Sequence, residues 1–388
     1  MDHLSFNQIV IDILVVFMAA GAVDRIFGGK LRLGIKDSFE EGFEALGALA
    51  LSMLGILALA PALVNVISKA AGPLYKLIGA DPAMFAGAFL SSDMGAYPIA
   101  VNMAENHDIA CFSGIIEGSL LGIVIVFTIP VAIGIISPGD QKYLAQGVLY
   151  GIMTVPIGCI TGGLAAGYDI SMIIVNTIPT VIISLLLAAG IKFIPDKMIR
   201  GFDIFGKIIV ALITAGLAAG IIETLTGITI IPGMAPLEDG YSVIGNIAVV
   251  LAGAFVMVNV VSRVFRKPLT ALGKLAGINI FSVSGMIASL ANVIPMLGMM
   301  KKMDERGKII NSAFAVSGSL VLGDHLAFTA SVEKELIMPM MAAKITAGVC
   351  AAALAIILTG KQKPDAVNAG DHILPDNHPE SAHCTTPD

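Results

Sequence analysis

Apolar residues run along this chain in eleven long blocks separated by short polar stretches: 6–27, 44–68, 80–103, 109–137, 143–167, 170–194, 203–231, 242–264, 279–302, 308–331 and 335–360. Most reach the ~20 residues that a helix needs to cross the hydrocarbon core of a bilayer. The pattern predicts an all-α polytopic membrane protein of 9–11 transmembrane segments. The first block begins near Phe6 without a basic flank or a small-residue cleavage site, so it reads as a span and not as a cleavable signal peptide. Beyond Thr359 the pattern stops. The stretch 361–388 is polar, acidic and Pro-bearing, and is expected to be a disordered tail.

The blocks repeat. In the first half, Pro73-Leu74 leads to Ile78-Gly79, then Pro98, a charged loop at 104–108, and Gly118-Ser119-Leu120-Leu121-Gly122. In the second half, Pro268-Leu269 leads to Ala276-Gly277, then Pro295, a charged loop at 301–308, and Gly318-Ser319-Leu320-Val321-Leu322-Gly323. The offset stays between 195 and 201. Order and spacing together predict a duplication, with repeat 1 at 1–169, a linking helix at 170–194 and repeat 2 at 195–360.

Loop charge orients the copies, because cytoplasmic loops carry excess Lys and Arg. The loop with Lys192, Lys197, Arg200 and Lys207 is placed inside, that with Glu238 and Asp239 outside, and that with Arg263, Arg266, Lys267 and Lys274 inside. The block 279–302 is then followed by Lys301, Lys302, Arg306 and Lys308, which also belong inside. That block therefore enters and leaves on one side, as a re-entrant hairpin. The matching loop of repeat 1 holds Glu105 and Asp108 and belongs outside, which makes 80–103 re-entrant as well and the two repeats inverted. The scheme has nine spanning helices, two re-entrant Pro-broken elements, an outer N-terminus and an inner C-terminus. Lys69 and Lys76 fall on its outer side, against the rule.

Composition narrows the functions. The 388 residues are 56% hydrophobic and 13% charged, against roughly 25% charged in soluble domains; most of the surface must face lipid. Trp is absent and the basic residues are dispersed, so a nucleic-acid surface is not expected. Cys111, Cys159, Cys350 and Cys384 form no CxxC pair, so neither a zinc site nor a disulfide framework is read from spacing. His372, His378 and His383 read as part of a solvated tail. No nucleotide loop, metalloprotease helix or nucleophile elbow occurs, and no cofactor is implied.

Ionisable residues inside lipid are costly and usually functional. Block 80–103 carries Ser91-Ser92-Asp93-Met94-Gly95 before Pro98. A proline-freed carbonyl, hydroxyls, a carboxylate and a permissive Gly95 make a cradle for a small cation or a hydroxyl-bearing amine. Block 279–302 carries Ser289, then Asn292 before Pro295, offering a donor and an acceptor for an alcohol, or an interhelical hydrogen bond. Asp324-His325 lies inside block 308–331 and could bind a cation, relay a proton or lock two helices. Glu117 precedes the first glycine motif, facing either a cavity or a polar packing partner. Lys344 and Asp12 read as snorkelling near helix ends, and Glu40, Glu41 and Glu44 as acids at a helix N-terminus.

Several runs are specific enough to suggest a family. Phe39-Glu40-Glu41-Gly42-Phe43 followed by Ala45–Leu49 resembles the ethanolamine-utilization permeases. So do Met84–Gly87 with Asp93-Met94-Gly95, Thr154–Ile160, Asn292–Met296 and Gly323–Leu326. The likeness extends to about residue 360, and Glu117 stands where it leads one to expect an apolar residue. It implies uptake of ethanolamine across the bacterial inner membrane. That substrate is mostly a cation at neutral pH with one hydroxyl. Asp93 and Asp324, with His325 beside them, would meet the ammonium; Asn292 and Ser92 would meet the hydroxyl. Two other classes are consistent with the residues: a cation- or proton-coupled exchanger of another solute, and a membrane-embedded enzyme using Asp324, His325 and a Ser. A homo-oligomer is compatible with the chain.

Overall fold

The computed structural model describes residues 6–31, 33–91 and 94–360; the expected tail 361–388 lies outside them. Among the described residues there are helices and turns and no strands. Each of the eleven predicted blocks is a helical unit. The stretch read as repeat 1 contains α1 (Phe6–Ile26), α2 (Lys36–Leu77), α3 (Met84–Phe89) and α4 (Ala96–Met103). Next comes α5 (His107–Cys111), which continues through π-helical turns at Phe112–Gly122 and Val124–Thr128 into α6 (Ile129–Ile135). These form one span, 107–135. Then come α7 (Gln141–Ala165) and the linking α8 (Ile170–Phe193). The stretch read as repeat 2 contains α9 (Pro195–Thr226), α10 (Leu237–Ala276), α11 (Ile280–Ser289), α12 (Val293–Met299), α13 (Glu305–Gly318), α14 (Asp324–Val332) and α15 (Ile337–Leu358). Seven of the described helices are long and apolar enough to cross a membrane, and the chain is a multi-pass membrane protein.

The packing alternates between the halves. The two longest helices, α2 and α10, lie against each other; α1 packs on α10, and α9 on α2. At the other side α7 packs on α15 and α13. With few charged side chains to solvate, the bundle turns Val, Ile and Leu outward: Leu51, Leu77, Leu186 and Leu225 are all exposed, as a lipid-facing surface requires.

Hydrogen bonds at the loops show which ends meet. The Glu105 N–H donates to Asp81 Oδ2 at 2.9 Å, joining the two ends of the α3–α4 element. The Asn279 side chain donates to the Lys302 carbonyl at 2.9 Å, and its N–H to Asp304 at 2.8 Å, joining the two ends of α11–α12. Both elements are hairpins, as the loop charges predict. The first opens beside Asn7, whose side chain donates to the Glu335 carbonyl at 2.9 Å. The second opens at the opposite end of the bundle, where Lys308 pairs with Asp140 at 2.6 Å and Arg306 grips the carbonyls of Gly360 and Ile356.

The end beside Asn7 also gathers Lys76, Asp81, Glu105 and Asn176 around a cleft of about 690 Å³. Lys76, anomalous for the loop-charge scheme, therefore lies among acids and polar groups. Asp169, between α7 and α8, accepts from Ser171 and Met172 N–H and caps α8; the Ser171 bond and these backbone bonds hold its carboxyl below the usual carboxylate range.

Candidate functional site

Each hairpin is pressed onto the glycine motif of the unit that follows it in the chain. A Cβ at Gly122 would lie 2.1 Å from the Gly87 carbonyl oxygen, and one at Gly323 2.0 Å from that of Ala291. Only glycine admits such approaches. In repeat 2 the helix yields at the crossing: α13 stops at Gly318 and α14 begins at Asp324. The released backbone pairs with the hairpin tip, Leu320 N–H to Ser289 carbonyl and Leu322 N–H to Leu290 carbonyl, both at 2.8 Å. In repeat 1 the span stays helical but widens into π turns, a distortion that concentrates at functional sites. Among the described residues, the non-glycine residues with positive φ, Met94 (68°) and Leu320 (63°), lie at these breaks.

The breaks fall N-terminal to the prolines that the sequence singles out. Pro98 and Pro295 sit in the first turns of α4 and α12, where a missing N–H costs nothing. Gly95 caps α4 with ordinary αR geometry. The prolines begin the return helices, and the unwound backbone precedes them.

Glu117 is fully buried on the π-helical span. Its Oε1 accepts from the Thr180 hydroxyl of α8, while Oε2 has no hydrogen-bond partner. Oε2 lies 2.7 Å from where a Cβ of Gly87 would stand, so it faces hairpin 1. Nearby, Ser113 Oγ donates to the Ala83 carbonyl at 2.6 Å and accepts from Gly87 N–H at 3.2 Å. Ser91 Oγ, buried against Gly118, is unpartnered. A carboxyl oxygen and a hydroxyl, each without a partner, thus lie between hairpin 1 and span 107–135.

A second buried polar centre lies two residues along that span. Lys344 of α15 is fully buried and donates to the Ser119 carbonyl at 2.7 Å. This corrects the reading of Lys344 as a snorkelling end residue: it stands eight residues into α15, too deep for its stem to reach water. His325 of α14 is also fully buried, and its ring nitrogens have no hydrogen-bond partner. Thr329, one turn along α14 from His325, is likewise buried with an unpartnered hydroxyl.

The other predicted residues are placed as follows. Asp324 is half-buried at the first position of α14, next to the crossed backbones. Asn292 is half-buried and its Oδ1 caps α12 by accepting from Ile294 N–H at 2.9 Å, which leaves its amide NH2 as the donor on offer. Ser92 and Asp93 lie outside the described residues. Asp12 accepts from Gln8 at 2.8 Å and Glu40 pairs with Arg25 at 3.0 Å, both exposed and structural. The sequence reading missed Thr180 and Ser113. A hydroxyl within an apolar helix is too common to signal a site until its partner is known.

Two oppositely opening hairpins, glycine-lined crossings and buried ionisable groups in a lipid-facing helical bundle define a polytopic membrane protein built around a broken-helix core, the arrangement of membrane carriers. The chain matches the family described as "Ethanolamine utilisation protein, EutH" over residues 6–358. It is 51% identical over 358 residues to the "Probable ethanolamine permease EutH" of Listeria monocytogenes, covering 92% of this chain and 95% of the relative. It is 46% identical over 396 residues to the protein of the same name from Escherichia coli, covering 92% and 97%. It is also 45% identical over 359 residues to the "Uncharacterized protein YxeR" of Bacillus subtilis, covering 92% and 96%. The chain belongs to the EutH family. No solved structure matches it.

Proposed function

We propose that this chain is a transporter that takes up ethanolamine across the bacterial inner membrane, through two inverted repeats whose hairpins meet near the bilayer midplane. Membership of a family whose curated members are named probable ethanolamine permeases carries this reading. The chemistry of the core agrees with it. An ammonium cation needs a carboxylate, and a hydroxyl needs one polar partner. Asp93, Asp324 and Glu117 are the candidate carboxylates, with His325 beside Asp324. Ser92 and the Asn292 amide are the candidate partners of the hydroxyl. The cleft at Lys76, Asp81 and Glu105 would be the outer vestibule. The basic loops at 192–200 and 301–308 put the opposite end in the cytoplasm.

Labelled ethanolamine uptake into proteoliposomes, with and without a proton gradient, tests the reading. Asp93→Asn and Asp324→Asn are each expected to slow uptake at low ethanolamine at least tenfold while the protein inserts normally. Uptake unchanged in both rejects the assigned carboxylates. Transport that ethanolamine fails to compete for rejects the substrate.

The inverted orientation has its own test. Single cysteines placed beside Asp108 and Arg306, in a chain whose native cysteines are replaced, should react with impermeant reagents from opposite faces of the membrane. Labelling from one face would mean that the repeats are not inverted.

A further inference from the structure

We infer that His107, Cys111 and Glu333 form a binding site for a divalent transition-metal ion of the zinc class, at the end of the bundle where hairpin 1 opens. His107 and Cys111 stand four residues apart at the start of span 107–135, so their side chains share one helix face. Glu333 reaches them from the end of α14, in the other repeat. His107 Nε2 lies 3.4 Å from Cys111 Sγ and 3.3 Å from Glu333 Oε1. All three donor atoms lie within 4.8 Å of one another.

Those separations fit a metal. Bonds of about 2.0–2.3 Å at tetrahedral angles put neighbouring N, O and S donors roughly 3.4–3.6 Å apart. The two distances from His107 are already at that value. The third needs a closure of at most about 1 Å, within reach of a glutamate rotamer. The donor set selects the ion. Thiolate and imidazole suit zinc, copper, nickel and cobalt, whereas calcium and magnesium require oxygen cages. A thiolate and a carboxylate balance the charge of a divalent ion, and binding releases the thiol proton to water. Three protein ligands leave a fourth position for water.

The surroundings are those of a built site. Tyr97, on α4 of hairpin 1, donates its hydroxyl to Glu333 Oε1 at 2.5 Å and orients the carboxylate. Its ring packs edge-on against Phe328 of α14. The entry path is through His107, whose side chain is 63% exposed, while Cys111 is buried beneath it. The metal would tie span 107–135 to the corner between α14 and α15, with hairpin 1 held through Tyr97. If hairpin 1 moves during uptake, a bound ion is a brake on it. The brake rests on the transport reading above; binding does not.

Cobalt titration of the purified full-length protein in detergent separates the two. One equivalent of Co(II) should raise a thiolate-to-cobalt band in the near ultraviolet with the visible bands of a tetrahedral ion, and zinc should abolish both. The near-ultraviolet band should vanish in Cys111→Ser, which distinguishes Cys111 from Cys384 near the tail histidines. His107→Ala and Glu333→Gln should each weaken binding at least tenfold. No thiolate band, a band that survives Cys111→Ser, or unchanged affinity in the other two variants overturns the site and leaves only a hydrogen-bonded cluster. In proteoliposomes, saturating zinc should lower ethanolamine uptake severalfold in the native chain and not in Glu333→Gln. Uptake that stays constant while the cobalt bands saturate overturns the brake.

Discussion

Gly323→Val, and equally Gly122→Val, is expected to abolish ethanolamine uptake and to lower the thermal stability of the purified protein. At both positions the first side-chain carbon would sit about 2 Å from a backbone carbonyl oxygen of the facing hairpin, Ala291 for Gly323 and Gly87 for Gly122. A backbone atom cannot rotate away as a long side chain can, so the hairpin tip itself must back off. In repeat 2 that separation breaks the pairing of Leu320 and Leu322 with Ser289 and Leu290. Buried backbone groups then lose their partners, at about 1–3 kcal/mol each. Overpacking adds a further 1–3 kcal/mol, roughly. Gly245→Ala is the control. Nothing lies near its added methyl, and an alanine inside α10 should stabilise the helix by about 1 kcal/mol or less. Normal uptake by Gly323→Val would show that the crossing does not matter to transport.

Lys344→Met is expected to separate stability from function. The amino group of Lys344 is fully buried and donates to the Ser119 carbonyl. Holding a lysine at such depth in a membrane helix costs on the order of 3 kcal/mol. Methionine keeps most of the stem and its packing while removing the buried amine. The variant should therefore unfold at the same temperature as the native chain or higher. Uptake should fall at least tenfold, because the buried amine that donates to the Ser119 carbonyl is gone. Lys344→Ala would lose packing as well and is the poorer test. Native uptake in a stable Lys344→Met chain would reduce Lys344 to a packing residue. Glu117 is the complementary case: with Oε2 unpartnered and Oε1 bonded to Thr180, it is a second ionisable group buried at a cost.

Much of this was readable from one dimension. Lipid imposes a length rule on apolar runs, so the eleven helical units and the all-α class follow from the spacing of polar residues. Charge asymmetry is also a one-dimensional signal. The basic residues at 301–308 called for a hairpin at 279–302, and the Asn279–Lys302 bond shows its two ends together. The glycine motifs at 118–122 and 318–323 stand where each half of the chain meets the hairpin before it. Their purpose was not legible, because a glycine signals a close approach without naming what approaches. Where the helix breaks was also misjudged from the prolines, since a proline that disrupts the middle of a helix is at ease in its first turn.

The sequence by itself determined the solvent of the molecule, the number and order of its helical units and the family to which it belongs, because hydrophobic length, loop charge and short motifs are properties of neighbouring residues. Only the tertiary structure decided which polar groups face one another: Glu117 with Thr180, Lys344 with Ser119, and Glu333 with His107 and Cys111. Each of these meetings joins residues far apart in the chain. Each depends on the angle and depth at which helices cross, set by packing across both repeats at once, and no local pattern of residues encodes that.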